Sequence, residues 1–412
     1  MEIGLLILLF SVITYAMLAK RLSTTIITAP MVFLGMGFFM SQSGLIHVGN
    51  AHETVYLIAE ISLVVLLFLD ASQINLRRLK KQRTWPLRML LIGIPLSILI
   101  GTGFAYLFFP ELPWVMLALI AAILAPTDAA LGQAVVSNES VPINERQSLS
   151  VESGLNDGLA LPVILFFASL VAMETGSQGK DTSWLMFGFT QIFMGILVGA
   201  FMGWMSGRLF LYSEEKKTSS TVYEGVAVLA LAGISYIMAS LLGGNGFISA
   251  FVAGLAFGNI VKGHCRFIYQ FTESEGQILI WSSFAIIGLA LLPSAIEHLT
   301  LPVAGYILVS IFIVRPVAIY LSLIGTKAKT LTRLFMGFFG PRGLATALFA
   351  LIISKDMLGD YGHSILIVAI NAVWISTLIH GVAAAPMAEW YGTKIKLLKI
   401  KSRELAKQKN NE

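Results

Sequence analysis

Apolar runs recur from one end of this 412-residue chain to the other. Each is long enough to cross a hydrocarbon core of about 30 Å as a helix. That pattern leaves few folds open, because a backbone inside hydrocarbon must satisfy its own N–H and C=O groups. Composition agrees: 56% of residues are hydrophobic and 12% charged, against about a quarter charged in a soluble domain. An ordinary soluble protein is excluded, and the expected fold class is an all-α polytopic membrane protein.

Turn and charge clusters divide the chain into thirteen spans, near 3–19, 23–45, 53–72, 87–109, 113–135, 149–173, 184–211, 222–242, 246–261, 276–295, 300–323, 333–353 and 364–388. Lys and Arg should concentrate in alternate loops on the cytoplasmic side. Loops and flanks after the odd-numbered spans hold 24 basic residues, whereas the opposite loops hold two, Lys180 and Lys355. The expected orientation is therefore N-terminus outside and C-terminus inside. The first run is followed by Lys20-Arg21 without a small-residue cleavage site, so it reads as a retained helix and not a signal peptide. Most of the net charge of +5 resides in the RRLKKQR loop at 77–83 and in a basic tail, 392–412, that follows a transmembrane domain 1–391. Both would face the anionic cytoplasmic leaflet, which makes the bilayer, and not nucleic acid, the expected partner. Cys265, the single cysteine, has neither a disulfide partner nor metal-ligand neighbours, and His264 beside it reads as a loop residue. No GxxxxGK[ST] loop occurs, so ATP-driven transport is disfavoured and no cofactor is expected.

Two spans are interrupted. Span 5 carries Pro126-Thr127-Asp128 in its middle, and span 12 carries Gly340-Pro341-Arg342-Gly343. Proline removes a donor and clashes with the preceding turn, so both helices should break there. The two lie an odd number of spans apart and run in opposite directions, as in inverted-repeat transporters whose site sits between paired breaks.

Ionised groups at the centre of a membrane helix cost about 2.5–3.5 kcal/mol each on insertion scales, and those that persist are functional or paired. The acidic candidates are Glu60 and Asp70 in span 3, Asp128 in span 5, and Glu152 and Asp157 in span 6; Arg315 and Arg342 are the basic ones. In ESGLNDG at 152–158, Ser153 and Asp157 share one helical face, and Glu152 with Asn156 forms a second i, i+4 pair about 100° away. Ser153 and Asp157 offer hard oxygen ligands to a bare Na⁺ or Li⁺, leaving Glu152 to neutralise an arginine. A desolvated carboxylate gains by holding either a proton or a cation. If both compete for Asp157, each displaces the other. His380, well inside span 13, reads as a packed, hydrogen-bonded residue.

Five stretches in order, APTDAAL at 125–131, ESGLNDG at 152–158, NGFISAFVAGLAFGN at 245–259, RPVAIYLS at 315–322 and GPRGLATALFAL at 340–351, resemble the monovalent cation/proton antiporter family. That family includes NhaP-type prokaryotic sodium/proton antiporters and the animal sodium/hydrogen exchangers. The resemblance implies a thirteen-helix sodium/proton antiporter fold with inverted repeats and a homodimer. It also implies an elevator-like motion of an ion-carrying bundle, spans near 87–173 and 300–388, against a dimerisation part. By the same resemblance Asp157 carries cation and proton, and Asn156 beside it implies electroneutral one-for-one exchange. Ser153 and Thr127 are ligands, Asp128 belongs to the unwound segment, and Asp70 stands where relatives have glutamate. Glu152 matches an acid that bridges to a membrane arginine. Arg315 is the favoured partner, with Arg342 bracing the crossing, although the residues alone leave the pairing open. The expected activity is Na⁺, and also Li⁺, exchanged for H⁺ in a prokaryotic plasma membrane, serving pH and sodium homeostasis. K⁺/H⁺ exchange on the same scaffold is the alternative. An intramembrane aspartyl protease would need YD and GxGD contexts that the spans lack, and a cation channel would conduct without pH coupling, whereas the fixed carboxylate and the interrupted pair favour alternating access.

Overall fold

The computed structural model describes residues 2–22, 25–44, 52–76, 84–174, 183–218, 220–262, 275–357 and 360–409. Lys180, His264, Cys265 and the basic loop 77–83 lie outside them. The described helices comprise thirteen segments that lie on the thirteen expected spans and one short helix, Leu292–Glu297, that follows the tenth of them. The thirteen are α1 Glu2–Leu22, α2 Ala29–Gln42, α3 His52–Gln73, α4 Thr84–Phe108, α5a Trp114–Ile123 with α5b Ala129–Val136, α6 Ile143–Glu174 and α7 Ser183–Glu215. There follow α8 Thr221–Leu241, α9 Gly246–Ile260, α10 Glu275–Ala290, α11 Leu301–Ser322, α12a Thr330–Phe338 with α12b Leu344–Asp356, and α13 Asp360–Lys409. Seven of them, α3, α4, α6, α7, α8, α11 and α13, are each long and apolar enough to cross a bilayer.

Spans 5 and 12 do break where proline and glycine predict, leaving 124–128 and 339–343 without helix between their halves. Two further irregularities were not foreseen. In α4 the turn Met89–Gly93 is π-helical, and in α11 so is Ser310–Val314; each is followed by a residue and then proline, Ile94-Pro95 and Arg315-Pro316. The expected boundary between membrane domain and tail at 391 does not coincide with a helix end, because α13 continues to Lys409. Tyr391, at that boundary, and Ile395, beyond it, are both buried. The Tyr391 ring stacks on Phe335 of α12a, and its hydroxyl donates to Glu145 of α6 at 3.1 Å.

Close approach between helices is bought with glycine. A Cβ on Gly254 or Gly258 would lie 2.2 and 1.9 Å from the carbonyl oxygens of Phe68 and Ser72, so GLAFG lets α9 lie directly on α3. Gly203 of GWMSG does the same for α7 on α9, where a Cβ would meet the Ala253 oxygen at 2.4 Å. In lipid, where burial between helices gains little, such packing supplies much of the association energy. The start of α9 is fixed by Asn245, whose side chain accepts the Ile248 N–H at 3.1 Å, as an N-cap should. Large apolar side chains face outward elsewhere, including Phe10, Met17, Met186 and Phe193, as lipid-facing surfaces require.

Gly258→Leu is expected to lower the thermal midpoint of the detergent-purified protein, with overpacking worth about 1–3 kcal/mol or more. Gly233→Ala, where a Cβ meets nothing within 4 Å, should leave the midpoint unchanged or slightly raised.

Candidate functional site: a crossing of two broken helices

The two breaks bond directly to each other: the Asp128 N–H donates to the Pro341 carbonyl at 2.8 Å. Each break also sends its charge to the other helix. Asp128 Oδ1 accepts the Leu131 N–H at 3.3 Å, and its Oδ2 accepts the Leu344 N–H at 2.7 Å, so one carboxylate serves the N-terminal ends of both α5b and α12b. The Arg342 guanidinium does the converse. Its Nε donates to the Leu124 carbonyl at the C-terminal end of α5a at 3.2 Å, and Nη1 donates to the Gly340 carbonyl at 2.9 Å. Nη2 reaches the carbonyl and hydroxyl oxygens of Ser310 in α11 at 2.8 and 2.9 Å. Free N–H groups carry partial positive charge and free C=O groups partial negative charge, so the acid and the base sit where the broken ends call for them. The glycines of GPRG make room. A Cβ on Gly343 would lie 1.9 Å from Asp128 Oδ2, and one on Gly340 would lie 1.4 Å from Arg315 Nε.

Against this crossing lies α6. Glu152 is fully buried and meets Arg315 Nη2 at 3.0 Å through Oε1 and 3.1 Å through Oε2. The arginine that faces Glu152 is therefore Arg315, and Arg342 is occupied by backbone carbonyls. Thr127 draws the two faces of α6 together: its hydroxyl donates to Glu152 Oε2 at 3.2 Å and lies 3.3 Å from Ser153 Oγ. Asn156 donates through Nδ2 to the Thr127 carbonyl at 3.2 Å and also to its hydroxyl. The expected division into a holding face, Glu152 with Asn156, and a working face, Ser153 with Asp157, is thus softened, since residues of both touch the unwound segment. The reason is Thr127 itself, whose backbone and side chain both point at α6 once the helix is broken.

Asp157 stands apart from this network. Its Oδ1 is buried and has no hydrogen-bond partner among the described residues, although Asp128, Asp70 and Glu152 are near enough to interact with it electrostatically. Asp70 of α3 is half-buried and lies within electrostatic reach of Asp128 as well. Glu60, also on α3, belongs elsewhere: its carboxylate accepts the Tyr236 hydroxyl of α8. His380 is hydrogen-bonded at both ring nitrogens, to Ser376 and to the Phe338 carbonyl. Two residues at the crossing were not singled out from sequence. They are Ser310, which receives Arg342, and Ser376 of α13, whose hydroxyl accepts the Arg342 N–H at 2.8 Å.

A family model described as the transmembrane sodium/hydrogen exchanger matches residues 6–390. The chain belongs to the sodium/hydrogen exchanger family. It is accordingly an integral membrane protein of the cation/proton antiporter class. Among its relatives are a protein called K(+)/H(+) antiporter NhaP from Alkalimonas amylolytica, 27% identical over 94% of this chain and 67% of its own length, and one called K(+)/H(+) antiporter NhaP2 from Shewanella baltica, 27% identical over 94% of this chain and 66% of its own. The chain thus spans about two thirds of the length of these curated relatives. The sodium proton antiporter MjNhaP1 from Methanocaldococcus jannaschii has a similar fold, with a TM-score of 0.77 at 21% identity over 94% of this chain and 98% of that one.

Glu152→Gln is expected to destabilise the family member described here by about 3–5 kcal/mol, the cost of leaving one partner of a buried pair uncompensated. A fall in the thermal midpoint of the purified protein, larger than that of Glu60→Gln, is the result to look for.

Proposed function

We propose that this family member exchanges one monovalent cation for one proton, with both bound in turn by Asp157. The observation that carries the reading is the contrast among the buried acids. Glu152 is taken by Arg315 and Asp128 by two helix ends, whereas Asp157, like the neighbouring amide oxygen of Asn156, keeps a buried oxygen without a partner among the described residues, and of the two only Asp157 is an acid. A cation placed there would have the carboxylate of Asp157, the hydroxyl of Ser153 and the unwound segment at Thr127 around it, all hard oxygen donors suited to Na⁺ or Li⁺. Asn156, Asp128 and Asp70 complete the surroundings: the amide fixes the unwound segment, and the two acids keep the field attractive to cations. Neither the proton-loaded nor the cation-loaded Asp157 leaves net charge behind, and Asn156 adds none, which favours electroneutral exchange.

In this reading the protein is a homodimer with its N-terminus outside and its C-terminus in the cytoplasm of a prokaryotic cell. A bundle of α4–α6 and α11–α13 would carry the site past the remaining helices. The names of the Alkalimonas and Shewanella relatives favour a second reading, K⁺/H⁺ exchange on the same scaffold.

The test uses purified protein in proteoliposomes with an imposed pH gradient, adding Na⁺, Li⁺ or K⁺ in turn. Na⁺ and Li⁺ should collapse the gradient at a rate insensitive to membrane potential. Collapse by K⁺ alone would establish the second reading, and no collapse with any of the three would end both. Asp157→Asn is expected to abolish exchange, at least about a hundredfold below wild type, while the protein stays monodisperse.

A further inference from the structure

The two π turns are counterparts in the two halves of the chain. In α4 the Ile94 N–H donates five residues back to the Met89 carbonyl, and in α11 the Arg315 N–H donates five residues back to the Ser310 carbonyl. Proline follows at once in both, at 95 and 316. A proline has no N–H to return to the preceding turn, so a wider turn just before it is a natural accommodation, and single π turns of this kind recur at functional sites. The pair is also reciprocal in space. The turn of α4 packs on the part of α11 beyond its own π turn, and the turn of α11 packs on the corresponding part of α4. Gly93 faces Ile319 there, since a Cβ would meet its Cδ1 at 2.8 Å.

The halves differ in what the turn carries. In α4 its ends are Met89 and Ile94, both buried in apolar surroundings. In α11 they are Ser310 and Arg315. The Ser310 carbonyl receives two donors, the backbone N–H of Arg315 and Nη2 of Arg342 at 2.8 Å, which fills both of its lone pairs. The same turn launches the Arg315 side chain towards Glu152. Both arginines of the membrane interior are therefore referenced to one carbonyl oxygen.

We propose that the π turn Ser310–Val314 is a positioning element of the ion site. Its extra residue sets the phase at which Arg315 meets Glu152, and Ser310 anchors the guanidinium that holds the crossing. One residue more or less rotates the rest of an α-helix by about 100° and shifts it by about 1.5 Å. Deleting Ile313, which is 42% exposed and so contributes little packing, would bring Ser310 and Arg315 to ordinary α spacing. Arg315 would then be swung away from Glu152. Ser310 is a positioning residue, acting through Arg342 and not on the cation.

The decisive experiment is a double-variant cycle in thermal melting of the detergent-purified protein, which needs no transport. Only the exchange arm below rests on the antiport reading. Deletion of Ile313 and Glu152→Gln should each lower the midpoint, by on the order of 5 °C. The two together should fall no further than the worse single variant, because the pair can be broken only once. Additive losses would overturn the proposal. If the deletion variant does not fold, Ser310 decides. Ser310→Ala should raise the cation concentration for half-maximal exchange about threefold or more, and Ser310→Thr, which keeps the hydroxyl, should restore it. An unchanged value in Ser310→Ala would likewise overturn the proposal. If no cation drives exchange in the wild type, it is the antiport reading that fails, and the melting cycle still judges the π turn.

Discussion

Everything at the centre of this protein depends on two helices that stop halfway and cross. A broken helix inside hydrocarbon exposes N–H groups on one side of the break and carbonyls on the other, and neither can turn to water. Asp128 and Arg342 answer those ends reciprocally, the carboxylate reaching across to Leu344 and the guanidinium across to Leu124. Each break therefore holds the other's ends, and the charge carried by one is neutralised by the dipoles of both. The glycines at 340 and 343 are consequences of that arrangement, since any side chain there would occupy the space of Arg315 or Asp128.

Saturating the crossing in this way separates the acids by role. Glu152 is fixed by Arg315 and helps hold Thr127, whose carbonyl and hydroxyl are in turn gripped by Asn156. The desolvated ion pair and the desolvated helix-end carboxylate are stabilised by the donors that reach their oxygens, Arg315 and Thr127 for Glu152 and the Leu131 and Leu344 N–H groups for Asp128. Asp157 lacks that protection at Oδ1. A rigid framework around Thr127 and a carboxylate oxygen left without a donor at Asp157 are the two requirements of a site that must bind, release and bind again.

Much of this could be read from the sequence because the bilayer makes charges and prolines conspicuous. The thirteen spans followed from turn and charge clusters between apolar runs, and both breaks followed from Pro126 and Pro341 standing close to a charge. The π turns were not legible. Pro95 stands in an apolar run and Pro316 directly follows Arg315; at either position a proline is compatible with a simple kink, and only the backbone shows that the preceding turn widens. Ser310 was hidden for the same reason, since one serine in an apolar run carries no signal until an arginine from another helix arrives on it. The separation of α6 into two faces was correct as geometry and incomplete as chemistry, because helical phase says where side chains point and not what the unwound Thr127 reaches. The docking of α13 at 391 was not legible either, because the contacts of Tyr391 with Phe335, Thr332 and Glu145 come from other helices.

The central claim is that one carboxylate serves cation and proton in turn. It is tested most directly by measuring cation binding to the purified protein by calorimetry across a range of pH. Competition at a single group predicts that the dissociation constant rises about tenfold for each unit that pH falls below the proton-binding range, with up to one proton released per cation bound. A dissociation constant that stays the same across that range, with no proton released, would contradict the account.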